Sequence, residues 1–137
     1  MGRPEELRDL SPSVQTVVTE AADQGFEGMK RVGKVIYSRA QLPRWKGKSA
    51  DDIVQEPKQF SGWERPDRAE FLAKQPVGVF EEAARALKAA AQDTAGGKVF
   101  ADHYLTTALY DDVKKRPSWA NQMQVVERYG GHVFLKE

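Results

Sequence analysis

Residues 12–40 constrain this chain more than any other stretch, because two helical patterns meet there at a glycine. The first runs over residues 13–22. On a 100° wheel Val14, Val17, Val18 and Ala21 share one face. The second runs over residues 27–40, where Met29, Val32, Ile36 and Ala40 share a face. Gly25 lies between them and suits a left-handed cap that turns the chain back. Glu20 sits beside Val17 at the margin of the first apolar face, and Arg39 beside Val32 at the margin of the second. A carboxylate at one core margin and a guanidinium at another can meet where the helices pack. The plainer alternative is a helical hairpin with two snorkelling side chains.

The remaining pattern is also mostly helical. A short helical turn is expected at residues 5–10. Ser11-Pro12 is a good helix start, and Pro43 stops the second helix near residues 40–42. Ser49 and Asp52 form a capping box opening a short helix with Ile53 and Val54, which Pro57 ends. Residues 64–75 read as a polar loop tacked down by Phe71 and Leu72. A loop-rich middle is the expected wall of a groove; alternatively it is a surface loop with Phe60 and Trp63 as plugs. Residues 79–92 form the clearest helix, with a stripe of Phe80, Ala83, Ala84, Leu87 and Ala91. Residues 99–104 are an expected strand, and residues 106–110 are ambiguous between strand and helix. A last helix is expected over residues 119–129, capped by Ser118, with Trp119, Met123 and Val126 inward. Gly130-Gly131 breaks it, and residues 132–135 form a short strand able to pair with residues 99–104. The fold class is therefore α+β, mostly α: one domain over residues 1–137, with at least five helices and a small antiparallel β element.

Composition excludes several chemistries. There is no cysteine, so disulfides, a thiolate nucleophile and thiolate metal sites are ruled out. A net charge of +1 gives no global field favouring nucleic acid, and no nucleic-acid partner is expected. The first residues carry no apolar run, so neither a signal peptide nor stable membrane insertion is expected. The only histidines are His103 and His132, both beside predicted strands, and no His-Glu-x-x-His pattern exists. A zinc site from the two histidines and Asp102 is formally available. The favoured reading is that both are structural, with no metal and no cofactor. No Gly-x-Ser-x-Gly element supports a serine triad. Gly25, Gly28 and Gly33 follow no predicted strand, so a dinucleotide loop fails on context. Glycosidic acid catalysis needs less: one carboxylic acid in a partly apolar setting. Glu20, with Val17 and Ala21 beside it, has that setting.

Separated pieces read together are more specific. Residues 20–28 (Glu-Ala-Ala-Asp-Gln-Gly-Phe-Glu-Gly) are followed by residues 32–39 ending in Ser38-Arg39. After a loop come Gln59-Phe60-Ser61, then His103-Tyr104, Trp119-Ala120, and Gly130-Gly131-His132-Val133-Phe134. This order resembles the cell-wall hydrolase family typified by the spore cortex-lytic enzymes, with phage and Gram-negative relatives, over about residues 13–135. The resemblance implies a compact lysozyme-like, lytic-transglycosylase-like helical domain that cleaves the β-1,4 bond between N-acetylmuramic acid and N-acetylglucosamine. It places the family's catalytic glutamate on Glu20 and its Glu-Gly element on Glu27-Gly28, with Glu27 as a supporting or second carboxylate. Gln59, Ser61 and Tyr104 are candidates for hydrogen bonds to the substrate, with Phe60 beside them as a wall of the substrate groove or packed under it, and with Arg39, His103 and His132 supporting the site. Three positions depart from the family pattern: Thr19 for a glycine, Ser38 for an asparagine, and Leu105 for a second histidine. The implied partner is the peptidoglycan glycan strand, and virion proteins if the chain travels in a phage particle. The expected place of action is the periplasm or wall, reached from the cytoplasm through a holin lesion or in a virion. A muramidase using water, a peptidoglycan endopeptidase or amidase, and a non-catalytic wall or virion protein are the alternatives.

Overall fold

The computed structural model describes residues 11–57 and 59–137; the turn expected at residues 5–10 lies outside them. Helix α1 (Pro12–Ala21) opens where the sequence places it. The Ser11 hydroxyl accepts from the Val14 amide at 3.2 Å, and Pro12 takes the first position, where no amide is needed. A short 3-10 turn (Ala22–Gln24) leads to Gly25, whose φ of 71° and ψ of −169° define a region open essentially to glycine alone. Helix α2 (Gly25–Arg39) then runs back along α1. Met29, Val32 and Ile36 enter one core with Val17, Val18 and Ala21.

The third wall of that core is α6 (Val77–Asp93). Its buried stripe is Phe80, Ala83, Ala86, Leu87 and Ala90. This corrects the expected stripe: Ala84 is exposed and Ala91 only half-buried, because α6 is rotated so that i, i+3, i+4 and i+7 meet both α1 and α2. Contact with α2 is closest at Gly33, where an added Cβ would lie 3.0 Å from Ala90 Cβ and 3.2 Å from Leu87 Cδ2. Glycine against alanine lets the two backbones approach. Helix α3 (Ala50–Val54) carries the Ser49/Asp52 capping box. Its Asp51 carboxylate accepts from the Ser13 amide (3.0 Å) and hydroxyl (2.6 Å), tying α3 to the start of α1. A short helix α4 (Ser61–Glu64) comes next, and the expected polar loop over residues 64–75 instead holds helix α5 (Arg68–Ala73). Leu72 of α5 is buried in the main core, which gives that segment a reason to coil.

The sheet has three antiparallel strands in the order β1 (His103–Thr106), β3 (His132–Lys136), β2 (Gln124–Tyr129). The β1–β3 pairing is the expected one, although β1 starts at His103 rather than residue 99. Thr106 caps helix α7 (Thr107–Asp111), which resolves the ambiguous stretch. Strand β2 overturns the expected last helix. Residues 118–122 make only a 3-10 turn, and Trp119 and Val126 are 43% and 40% exposed rather than inward. The β-branched pair Val125-Val126 and the Gly130-Gly131 turn, with Gly130 at φ 58°, favour a hairpin. A bulge between Val125 and Glu127 accommodates two adjacent valines. Central β3 is buried on both faces. Phe134 meets Val35 and Ala101 on the helical side, while Val133 and Leu135 meet Leu105 and Ala120 on the far side. The fold is thus α+β and mostly helical. No helix among the described residues is long and apolar enough to cross a membrane.

The closeness of α2 and α6 is testable. Gly33→Val is expected to cost about 1–3 kcal/mol in urea unfolding through overpacking. An unchanged midpoint would mean that the helices do not pack through this glycine.

Candidate functional site

Glu20 stands one residue before the end of α1, between buried Val18 and Ala21, and is itself only half-buried. Both of its carboxylate oxygens are held. Tyr104 Oη donates to Oε1 at 2.5 Å. The Gly62 amide donates to Oε2 at 2.5 Å, and Ser61 Oγ to the same oxygen at 3.3 Å. The donors come from β1 and from the first turn of α4, so two separate elements fix a side chain carried by a third. A Cβ at residue 62 would fall on Thr19 Oγ1 and Glu20 Oε2, so only glycine lets that amide approach. Burial, the Glu20 charge and the hydrogen bond to Glu20 push the Tyr104 phenol well above its ordinary pKa, with Arg39 pulling back. Tyr104 therefore stays a neutral hydroxyl, able to donate to a carboxylate or accept from a carboxylic acid.

Open space lies on both sides of Glu20. A cavity of about 770 Å³ is lined by Glu20, Asp23, Gln24, Phe71, Gln75 and His132 among others. A smaller one, about 300 Å³, is lined by Thr19, Glu20, Ser61, Gly62 and Arg65. Glu20 belongs to both, at the join of one groove. In the smaller lobe the Arg65 guanidinium pairs with Asp67 (Nε to Oδ1, 2.6 Å) and lies over the Phe71 ring.

Arg39 is buried, 6% exposed, beneath this groove. Its Nε donates to the Asp102 carbonyl at 2.7 Å and its Nη1 to the Gln59 carbonyl at 3.0 Å, and its guanidinium lies 4.4 Å from the centre of the Phe60 ring. Burial lowers its pKa, while Tyr104, Asp102 and Glu20 oppose that shift. Arg39 thus joins the end of α2, the segment leading into α4, and the residue before β1.

Several expected site residues lie elsewhere. Phe60 is 2% exposed and packs under the site beneath Arg39, so it offers no face to a sugar. The Gln59 side chain accepts from Arg39 Nη1 at 3.4 Å and donates to the Pro57 carbonyl, and it lines neither lobe. Glu27 is bound to Arg31 (3.0 Å) and Lys30 (3.3 Å), which hold its carboxyl below its ordinary pKa. Arg31 carries on to Glu127 at 2.8 Å and lies over the Tyr129 ring, so Glu27 belongs to a clamp between α2 and β2 rather than to the groove. His103 is on the opposite face of the sheet from Tyr104, stacked on Trp119 with ring centres 5.2 Å apart. His132 is on the groove side, edge-on to the Tyr104 ring at 5.1 Å, with Nδ1 2.9 Å from the Gln24 amide nitrogen.

The register sets His103 opposite Leu135 and His132 opposite Thr106. Three steps along a strand separate the two histidines by roughly 10 Å, so they cannot share a metal. A different trio, Asp102, His103 and Glu137, has ligand atoms within 4.8 Å of one another. Sequence reasoning missed Gly62, Asp23, Gln24 and Arg65 in the groove. For Gly62 a usable signal existed: a glycine directly after the Gln-Phe-Ser element.

The burial of His132 has a pH consequence. Burial lowers its pKa below the ordinary 6.5, with the Glu20 and Asp23 charges partly opposing. The unfolded chain takes up this proton near pH ~6.5, the folded chain only at lower pH. The resulting stability is present above the unfolded value and lost as pH falls below it. The wild-type melting temperature is expected to drop more between pH 7.5 and 5 than that of His132→Gln. Equal drops in the two proteins would contradict the assignment.

Comparison with curated proteins and with solved structures returned no match. A family model described as Cell Wall Hydrolase matches residues 23–135, from the turn after α1 to β3. The match begins just past Glu20 and takes in Ser61, Gly62 and Tyr104, the three residues that hold its carboxylate. With most of its length covered, the chain belongs to the cell wall hydrolase family, whose members degrade peptidoglycan.

Proposed function

We propose that the protein is a lytic transglycosylase that cleaves the β-1,4 bond between N-acetylmuramic acid and N-acetylglucosamine, with Glu20 as its single general acid and base. The observation that carries this reading is that Glu20 lies at the join of both groove lobes with each carboxylate oxygen oriented by a fixed donor. A glycan strand laid along the groove brings its glycosidic oxygen to that carboxyl. Glu20 passes its proton to this oxygen as the C1–O bond breaks and C1 gains oxocarbenium character. The muramyl O6 attacks C1, and the Glu20 carboxylate takes the O6 proton. The products are a 1,6-anhydromuramyl end and an N-acetylglucosamine end with a free 4-hydroxyl, and Glu20 is protonated again. Tyr104 Oη can stay bonded to Glu20 through both transfers, because it donates to one form and accepts from the other.

One observation favours a second reading. Asp23 lines the larger lobe beside Glu20, and a second carboxylate can place a water for hydrolysis. That enzyme is a muramidase. The substrate lies outside the cytoplasmic membrane, so the reading puts the site of action in the periplasm or wall.

Mass spectrometry of digested peptidoglycan separates the two chemistries, since an anhydro end lacks one water. The expected product is the anhydro form; a reducing end would establish the muramidase. Folded Glu20→Gln is expected to lose at least ~10² in rate. Wild-type-like turnover in that variant would remove Glu20 from the chemistry. Gly62→Ala keeps the amide donor but forces Thr19 and Glu20 aside, and a loss on the order of 10²-fold is expected from the misplaced carboxyl. Full activity in this variant would mean that the Gly62 contact does not position Glu20.

A further inference from the structure

A second group of chemically capable side chains converges on the sheet face turned away from Glu20. Asp102 precedes β1, His103 opens it, and Glu137 follows β3. The Asp102 amide donates to the Leu135 carbonyl at 3.0 Å, which brings the end of β3 alongside the start of β1. The Glu137 amide then lies 3.3 Å from Asp102 Oδ1, and His103 Nδ1 lies 2.9 Å from the same oxygen. One ligand atom from each of the three residues lies within 4.8 Å of the others. A cavity of about 350 Å³, lined by His103, Trp119, Gln122, Met123 and Glu137, opens onto the group.

We propose that Asp102, His103 and Glu137 bind a divalent transition-metal ion, zinc being the best match, at a structural site separate from the glycan groove. The donor set is one imidazole nitrogen and two carboxylates, which suits zinc. A tetrahedral zinc with bonds near 2.0–2.1 Å holds its donors roughly 3.3 Å apart, so His103 Nδ1 and Asp102 Oδ1, now 2.9 Å apart, open by a few tenths of an ångström on binding. A turn of the half-exposed Glu137 side chain closes the set; its carboxylate otherwise meets Arg44 at 3.4 Å. The cavity leaves room for water in a fourth position.

Charge supports the same assignment. Asp102 is 2% exposed, yet among the described residues no lysine or arginine nitrogen reaches its carboxylate. Arg39 bonds its carbonyl oxygen instead. A buried carboxylate is costly without a counter-charge in contact. A metal ion supplies one, taking the Nδ1 lone pair of His103, 2.9 Å from Asp102 Oδ1, with the ring proton on Nε2. The bound ion clips the end of β3 to the start of β1. It also stiffens Asp102, whose carbonyl holds Arg39 under the groove. No step at Glu20 passes through it.

The test uses the full chain, stripped with a chelator, dialysed, and titrated with zinc sulfate in a calorimeter. One zinc per chain and a raised melting temperature are expected, with no saturable uptake of magnesium. His103→Ala should lose the site, and Glu137→Gln should weaken it by about 10–100-fold, the range even for outer-shell partners. His132→Ala, which removes the other histidine, should keep it. Absence of saturable zinc binding, binding retained in His103→Ala, or binding lost in His132→Ala overturns the proposal. Should His103→Ala fail to fold, imidazole ¹⁵N resonances of the wild-type protein decide the matter. Zinc is expected to shift Nδ1 of His103, and a shift confined to His132, or none, refutes the site.

Discussion

The buried guanidinium of Arg39 is the interaction on which the rest of the structure depends. Desolvating a cation costs several kcal/mol unless its hydrogen bonds are satisfied. Here they are satisfied by carbonyls of Gln59 and Asp102, two residues far apart in sequence, and by the Phe60 ring. Breaking that arrangement strands the charge, so the end of α2, the approach to α4 and the approach to β1 are held as one unit. Arg39 itself lines neither lobe of the groove. Its effect on the site runs through what it fixes: Ser61 and Gly62 follow Phe60, and Tyr104 lies two residues after Asp102.

The groove is a consequence of that unit. Helix α1 supplies the carboxylate, while α4 and β1 each supply a donor to a different one of its oxygens. The larger lobe is walled by Phe71, Pro76 and Val79 on one side and by the β2–β3 turn with His132 on the other. Polar groups in it are few and fixed, which is the usual composition of a ligand site. Gln24 contributes by reaching from the 3-10 turn after α1 to His132 Nδ1, where its side chain packs against Gly28 and Gly130.

Much of this was legible in the sequence where local chemistry decides the outcome. Ser11-Pro12, the Ser49/Asp52 box and the two helices around Gly25 follow from capping, ring geometry and a 3.6-residue period. The margin position of Glu20 follows from its neighbours Val17 and Ala21. What was not legible depended on tertiary partners. Residues 119–129 fit a helical wheel through Trp119, Met123 and Val126, and only pairing with β3 makes 124–129 a strand. The stripe of α6 turned by a fraction of a step because α6 has two helical neighbours. Glu27 was expected at the site because the family's Glu-Gly element falls on it, but two cations within one turn of helix hold it. Gln59, Phe60 and Ser61 are adjacent, yet only Ser61 faces the groove; a three-residue element does not reveal which member points inward.

The spacing of the Glu20 contacts has a consequence for how the protein comes into being. Its donors lie 41, 42 and 84 residues away along the chain. No local segment, and no helical hairpin formed early, can bring them together. Until the sheet has closed against the helices, Glu20 is an ordinary solvated carboxylate on a short helix. The arrangement around Glu20 therefore exists only in the complete fold, and any chemistry proposed for that carboxyl is tied to global folding rather than to one segment.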